Sequence, residues 1–204
     1  MSHIEAREFG VRVGGDELLS ALNFLCRAGA VTAIVGPSGC GKTSLLNAMS
    51  GLYPHTSGAL LIDGDDSVGW SAARWRRFWR DRASFVHQNY GVIPDRNVGF
   101  NISLTTSGDR SRMCQALEAV SLEVPLTARA GILSGGEQQR VGIARAIYKS
   151  SQFVFADEPT ASLDRVNREH VISLLRTLAR EGRTVVTATH DEDLMKAADQ
   201  VISL

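Results

Sequence analysis

Residues 36–43 read Gly36-Pro37-Ser38-Gly39-Cys40-Gly41-Lys42-Thr43 and directly follow a short apolar run, Val31-Thr32-Ala33-Ile34-Val35. A continuous apolar run of this length is typical of a buried strand, and Ser44–Met49 after the glycines is predicted to be helical. A strand, a glycine-rich loop and a helix in this order place backbone N–H groups and a helix N-terminus around an anion. The segment therefore predicts a phosphate-binding loop within an α/β fold.

Each position of this loop has an expected role. Gly36, Gly39 and Gly41 lack a Cβ and let the loop close around phosphate. Lys42 is expected to reach the β- and γ-phosphates, and the Thr43 hydroxyl is expected to ligate Mg²⁺. The predicted nucleotide-binding set is completed by Pro37, Ser38, Cys40 and Ser44. The alternative is a plain glycine turn in front of a helix.

The nucleotide is predicted to be ATP, not GTP. Guanine-specific GTPases typically carry an Asn-Lys-x-Asp element. None of the three lysines of this chain, Lys42, Lys149 and Lys196, follows an asparagine.

Two carboxylates follow a second apolar run. Phe153-Val154-Phe155-Ala156 precedes Asp157 and Glu158, so both acids are expected at the carboxyl end of a buried strand. Ligands bind at that edge of parallel α/β sheets. Asp157 suits coordination of Mg²⁺, and Glu158 suits a general base that polarises an attacking water. The alternative is a pair of ordinary solvated acids where a strand ends.

A third motif, Leu133-Ser134-Gly135-Gly136-Glu137-Gln138-Gln139-Arg140, lies between these two halves of the predicted site. Ser134 is predicted to cap a helix whose first N–H groups are free to receive an anion. Together with the phosphate loop and the carboxylate pair, this octapeptide resembles the signature of the ATP-binding cassette (ABC) superfamily. The resemblance extends along essentially the whole chain.

The resemblance implies roles for further residues. Gln88 matches the family glutamine that touches Mg²⁺ and the attacking water, and His190 matches the histidine that hydrogen-bonds the γ-phosphate. Asp164 matches a loop residue that contacts the partner subunit. The signature residues that bind ATP held by the phosphate loop of a second copy are Ser134, Gly135, Gly136 and Glu137. A homodimer with two ATP molecules at its interface is therefore expected.

The fold implied by the resemblance is a single α/β domain over residues 1–204. Its RecA-like P-loop NTPase core comprises 1–87 and 151–204 and carries an N-terminal antiparallel β subdomain. Residues 88–150 are expected to form an inserted α-helical subdomain that contains the signature.

Composition limits the possible partners and location. Basic and acidic residues number 22 each, so no global field favours nucleic acid, and no nucleic-acid partner is expected. No apolar run approaches the ~20 residues that cross a bilayer, and residues 1–8 lack the apolar core of a signal peptide. The three cysteines are widely spaced and predict neither a disulfide framework nor a metal cluster. The resemblance to the ABC superfamily then implies a location at the cytoplasmic face of the cell membrane, where a separate transmembrane permease subunit would hold the chain.

Residues 88–94 and 97–102 resemble the small exporter-type subunits that serve macrolide, lipoprotein, peptide or haem efflux. The alternative is a soluble ABC ATPase of DNA repair or translation. Repair members separate the loop from the signature by a long coiled coil or zinc modules, whereas fewer than 100 residues separate Thr43 from Leu133. Translation members carry two cassettes in one chain. A catalytically inactive binding module is disfavoured because the loop lysine, both acids and the histidine are present.

Two stretches depart from the family pattern or allow several interpretations. Val13 stands where the family usually stacks adenine on an aromatic side chain, so the sequence assigns no residue to the contact with adenine. Residues 74–82 combine five arginines with Trp75, Phe78 and Trp79, which share one face of a helix. We favour an amphipathic helix that packs its aromatic side chains on the core. The alternatives are contact with a membrane partner or lipid headgroups, and binding of single-stranded nucleic acid.

Overall fold

The computed structural model describes residues 2–14, 16–53, 57–89 and 91–204. The strands in these ranges are β1 Ile4–Val13, β2 Asp16–Cys26, β3 Val31–Val35, β4 Ser57–Ile62, β5 Asp65–Asp66, β6 Ala83–Val86, β7 Phe153–Asp157, β8 Thr184–Ala188 and β9 Gln200–Ser203. The α-helices are α1 Lys42–Met49, α2 Ala72–Asp81, α3 Val98–Ser103, α4 Arg110–Ala119, α5 Gly135–Tyr148, α6 Arg165–Arg180 and α7 Glu192–Ala197. No helix in the described ranges combines the length and apolarity that crossing a bilayer requires.

A parallel sheet in the order β6-β7-β8-β3-β9 forms the centre of the molecule. Its central strands are buried along their length, as expected for strands with packed layers on both faces. In the register, Val86 lies beside Ala156, Asp157 beside Ala188, and Ala188 beside Ile34. The carboxyl ends of these four strands therefore meet at one edge of the sheet.

An antiparallel sheet in the order β2-β1-β4-β5 packs beside the parallel sheet. Side chains of both sheets share one apolar core with α1, including Ile4, Leu60, Leu45, Ile34 and Phe155. This core holds α1, and with it the phosphate loop, in a fixed position relative to the parallel sheet.

Helices α3, α4 and α5 lie between β6 and β7 in the chain and form a second core with α6 and the other face of the parallel sheet. Ile102, Met113 and Ile143 from the three helices are buried with Val154 and Leu175. These helices occupy the range expected for the helical subdomain. Its limits at residues 88 and 150 stay a prediction.

The predicted fold class is confirmed: a parallel core with a P-loop order of elements, an antiparallel sheet and intervening helices. The sequence predicts strands at 18–25, 31–35, 59–62, 85–86, 153–156 and 184–189 and helices at 44–49, 111–119 and 137–148. Each of these segments is present, with its ends moved by at most two residues. Elements without a prediction are β1, β5, β9, α3, α6 and α7.

The arginine-rich stretch is confirmed as an amphipathic helix. Phe78 is buried, and Trp79 lies near Phe85 and Phe155, with ring centroids 6.3 and 6.0 Å apart. The Trp75 ring lies against the backbone of Gly51, where an added Cβ would approach it to 2.4 Å. The aromatic side chains of α2 therefore belong to the core.

Candidate nucleotide site

The phosphate loop connects β3 to α1 and depends on glycine for its path. Gly41 caps the N-terminus of α1 with φ 102°, a left-handed conformation that side chains disfavour. Gly36 has φ 152°, and a Cβ there would lie 2.7 Å from the Cys40 Sγ. The loop closes tightly at Gly36 and delivers the chain into α1 at Gly41, which leaves the first N–H groups of the helix available for an anion.

Lys42 lies in the first turn of α1 with its side chain folded over the loop. Its Nζ donates hydrogen bonds to the carbonyl oxygens of Gly36 at 3.0 Å and Pro37 at 2.9 Å. Only 9% of the residue is exposed. The ammonium group is thus held above the loop, where oxygens of a phosphate can replace these carbonyls as acceptors.

Thr43 and Asp157 bring a hydroxyl and a carboxylate together across the site. Thr43 Oγ1 donates to Asp157 Oδ1 at 3.0 Å. Burial raises the pKa of Asp157, and the Glu158 charge adds to the rise, while the hydrogen bond from Thr43 and the charge of Lys42 oppose it. Neutral and anionic oxygens are the ligands that Mg²⁺ prefers, and a buried carboxylate gains when a cation neutralises it. These two residues therefore fit a magnesium site completed by phosphate oxygens.

Glu158 and His190 form a hydrogen-bonded pair beside this site. The ring Nδ1 of His190 lies 2.8 Å from Glu158 Oε1, and the backbone N–H of His190 donates to Glu158 Oε2 at 3.3 Å. The Glu158 backbone has φ 45° and donates its N–H to the Ala188 carbonyl at 2.9 Å. A left-handed non-glycine residue is uncommon and points to a functional constraint. The turn aims the carboxylate away from the strand and toward His190.

Gln88 emerges at the same edge of the sheet. It follows β6 by two residues, as Glu158 follows the paired position Ala156 on β7. The side chain is exposed, and within the described ranges it makes no hydrogen bond to Thr43 or Asp157. The register thus brings Gln88 to the right edge. Its contact with a metal or water stays a prediction.

The signature residues form the N-terminus of α5. Ser134 Oγ accepts from the Glu137 N–H at 3.4 Å, and Glu137 Oε2 accepts from the Ser134 N–H at 2.8 Å, which completes a capping box. The Glu137 carboxylate accepts hydrogen bonds from the Ser134 backbone N–H and hydroxyl, and these two bonds lower its pKa. The predicted cap is confirmed. Ser134 is exposed and bonds to Glu137, not to the phosphate loop of its own chain.

Asp164 caps α6 within its own chain. Its Oδ1 accepts from the Asn167 N–H at 2.9 Å and its Oδ2 from Asn167 Nδ2 at 2.6 Å, which lowers its pKa. Asn167 was not predicted as part of the site. An asparagine three residues after an aspartate is an ordinary helix-start pattern, so only the fold shows that it also reaches α5.

A second unpredicted contact anchors the loop that carries His190. The Asp191 carboxylate lies 3.2 Å from the Arg168 guanidinium of α6. Because Asp191 directly follows His190, this ion pair ties the His190 loop to α6. The remaining prediction, at Val13, concerns a side chain that lies outside what the structure describes.

The sequence matches the ABC transporter family over residues 19–161. An uncharacterized ABC transporter ATP-binding protein of Mycobacterium tuberculosis is 36% identical over 193 residues, which cover 91% of this chain and 58% of that protein. The macrolide export ATP-binding/permease protein MacB of Brucella melitensis is 36% identical over 92% of this chain and 30% of its own length. The uncharacterized ABC transporter ATP-binding protein YvrO of Bacillus subtilis is 34% identical, with 94% of this chain and 87% of that protein covered.

Solved structures agree with the sequence relatives. The dimeric bacterial ABC transporter cassette MJ0796 superposes with a TM-score of 0.87 at 29% identity, covering 98% of this chain and 94% of the other. A bacterial Atm1-family ABC exporter with ATP bound gives 0.84 at 27% identity, covering 100% of this chain and 37% of the exporter. The phosphate loop, the carboxylate pair and the capped signature helix thus occur in a chain that belongs to the ABC transporter family, as one of its ATP-binding cassettes.

Proposed function

We propose that this chain hydrolyses ATP as the nucleotide-binding subunit of an ABC transporter. The observation that carries the proposal is the convergence of Lys42, Thr43, Asp157, Glu158 and His190 at one edge of the parallel sheet. A phosphate cradle, an oxygen pair suited to Mg²⁺ and an oriented carboxylate are the parts that phosphoryl transfer to water requires.

The residues of this chain divide the chemistry among them. Lys42 and the loop N–H groups bind the β- and γ-phosphates. Glu158 accepts the proton of the attacking water as the new P–O bond forms and the bond to the leaving ADP breaks. His190 donates from Nδ1 to the ionised Glu158 and so holds its carboxylate in place. Thr43, Asp157 and Gln88 would hold Mg²⁺, which when bound offsets the charge of the phosphates.

We propose that two copies form a dimer in which each signature helix closes the site of the other copy. The MJ0796 cassette, which this chain resembles closely, is dimeric, also in its post-hydrolysis state with ADP and Pi. In this chain Ser134, the N-cap of α5, is exposed, and Gly135 after it is half-buried. Ile132 and Val166, next to the signature and to Asp164, are each 77% exposed and so are available to a partner surface. A two-fold axis would place the same surface of each copy at the interface.

A separate permease subunit completes the proposed transporter and places the chain at the cytoplasmic face of the membrane. MacB carries an ATP-binding part and a permease in one protein, and this chain matches 30% of its length. Similarity to MacB and to the Atm1-family exporter favours export or extraction of a substrate. In this arrangement the permease subunit chooses the transported substrate.

The dimer is tested by cross-linking in the Glu158→Gln background. Cys26, Cys40 and Cys114 are replaced first, and Ser38→Cys and Ser134→Cys are then placed on separate, differently tagged copies. Cross-links between the two copies that require ATP and Mg²⁺ support the composite site. Cross-links that ignore ATP, or that form only when both cysteines are on one copy, contradict it.

The transporter role is tested by purification from detergent-solubilised membranes. The expected result is a multispanning membrane protein that co-purifies with the chain and raises its ATPase rate. Co-sedimentation with ribosomes or DNA, without a membrane protein, would favour the translation or repair function instead.

A further inference from the structure

Asn167 makes hydrogen bonds in two directions. Its Nδ2 donates to Asp164 Oδ2 at 2.6 Å, and its Oδ1 accepts from the Arg140 guanidinium at 2.7 Å. The chemistry sets the orientation of the amide, because only its NH₂ can donate to a carboxylate and only its oxygen can accept from an arginine. One side chain therefore connects the start of α6 to α5.

The contact between Asn167 and α5 is also steric. A Cβ on the buried Gly136 would lie 2.6 Å from Cγ and Oδ1 of Asn167, closer than real Cβ contacts allow. Glycine at this position of the signature leaves room for the asparagine. The first turn of α5 thus packs on Asn167, while Arg140 in the next turn binds to it.

The two elements joined by Asn167 are those that face the second copy in the proposed dimer. Ser134 begins α5, and Asp164 ends the loop that starts at Glu158. α5 belongs to the predicted helical subdomain, whereas α6 follows β7 of the core. The Arg140–Asn167–Asp164 bridge therefore crosses from one part of the fold to the other at its dimer face.

We propose that Asn167 is a positioning residue that sets the spacing between the signature helix and the Asp164 loop, so that both reach the partner's ATP together. This inference rests on the proposed dimeric ATPase. A displacement of about 1 Å at a reacting site can reduce the reaction rate about 10²-fold. A fixed spacing between the two elements would prevent such a displacement. Asn167 touches neither nucleotide nor metal in this role and acts through Ser134 and Asp164.

The test compares dimerisation with nucleotide binding in the Glu158→Gln background. Asn167→Leu keeps similar volume and removes both hydrogen bonds. We expect it to raise the dimer dissociation constant in ATP and Mg²⁺ by about tenfold or more, the scale of one charge-assisted hydrogen bond. Affinity of the monomer for ATP, measured by equilibrium dialysis below the dimerisation range, is expected to stay within about twofold. Glu169→Ala is the matched control, since Glu169 is exposed on the same helix and pairs with Arg165.

Two further variants keep the inference testable if Asn167→Leu folds poorly. Arg140→Met removes the other end of the bridge without altering α6, and we expect a comparable loss of dimer. Gly136→Ala is expected to lower the melting temperature in the wild-type chain, and clearly less in an Asn167→Ala chain, where the two atoms at 2.6 Å are removed and only the Cβ of residue 167, 3.1 Å away, remains.

Several results would overturn the inference. The first is unchanged dimerisation of both Asn167→Leu and Arg140→Met. The second is a loss of monomer affinity for ATP as large as the loss of dimer affinity. The third is that Gly136→Ala and Asn167→Ala have additive effects on the melting temperature. If the Glu158→Gln parent itself forms no ATP-dependent dimer, the proposed function fails first. If the parent dimerises and the Asn167 and Arg140 variants match it, only the inference fails.

Discussion

The imidazole Nδ1 of His190 lies 2.8 Å from Oε1 of Glu158, although 32 residues separate them in the chain. Parallel pairing of β7 with β8 produces this proximity, since Asp157 lies beside Ala188 and each side chain of the pair follows shortly after its strand. The carboxylate that we assign as general base is therefore oriented by a residue that follows the neighbouring strand.

Glu158→Gln is expected to reduce the steady-state ATPase rate by about 10²–10⁴-fold, because the amide cannot accept the proton of the attacking water. ATP binding is expected to persist, since Lys42 and the loop are unchanged. Phosphate release and ATP binding measured side by side check both statements. Glu192→Gln, two residues after His190 and exposed, is the control. A rate within twofold of wild type would remove Glu158 from the assigned role.

Asp157→Asn is expected to stabilise the nucleotide-free protein and to abolish Mg²⁺-dependent hydrolysis. Burial raises the pKa of Asp157, so the ionised form is disfavoured in the folded state. The loss of folding stability caused by ionised Asp157 is absent below the ordinary aspartate pKa. It reaches its full size as pH rises above the raised pKa.

Thermal melts at neutral pH should therefore show a higher midpoint for Asp157→Asn than for wild type, and the difference should shrink on acidification. A lower midpoint for the variant at neutral pH would contradict the assignment. The amide oxygen introduced by Asp157→Asn can still accept the hydrogen bond from Thr43, so the change in stability reports the lost charge and not a lost hydrogen bond.

Ser134→Ala is expected to destabilise the chain by about 1 kcal/mol through loss of the helix cap. Glu137, the other residue of this capping box, makes the stability of the chain depend on pH. Hydrogen bonds from Ser134 lower the pKa of Glu137, so its contribution is present above the ordinary glutamate pKa and is lost as pH falls through the lowered value. Urea unfolding of wild type and Glu137→Gln should differ at pH 7 and converge on acidification. Glu118→Gln on α4, exposed in the structure, should show no such convergence.

The lowered pKa of Lys149 predicts that the stability of the folded chain changes with pH in the alkaline range. Its Nζ donates to the carbonyl oxygens of Trp79 and, at 2.6 Å, of Ala83, while burial lowers its pKa to about 8 from 10.5. Between these two values the unfolded chain binds a proton that the folded chain lacks, so stability rises with pH across this window. The unfolding free energy of wild type relative to Lys149→Met should therefore increase from pH 8 to pH 10. A difference independent of pH would contradict the shift.

Much of the architecture could be predicted because the motifs are local in sequence. The glycines of 36–41 and the run before Asp157 each specify a short element and its chemistry, and the parallel order of strands then brings them together. The phosphate loop, the carboxylate strand and the signature helix were accordingly placed within two residues.

The unpredicted parts depend on distant contacts. β1 is irregular, with register shifts and Glu8 at φ 48°, so its apolar alternation is interrupted. α6 is an amphipathic helix with four arginines and carries no motif, yet it supplies Asn167 and Arg168. Neither residue has a local signal, because their partners Arg140 and Asp191 lie more than twenty residues away.

Lys42, Thr43, Asp157, Glu158 and His190 all lie at the carboxyl edge of the parallel sheet, so none of these five residues lies at its amino edge. The turn that enters β8 there contains Gly182, at φ 88° and with open space around the position a Cβ would take. A fluorophore attached through a short flexible insertion at this turn would lie far from the phosphate loop along the strand axis. Cassettes labelled in this way would report their association by energy transfer while every residue of the nucleotide edge remains native.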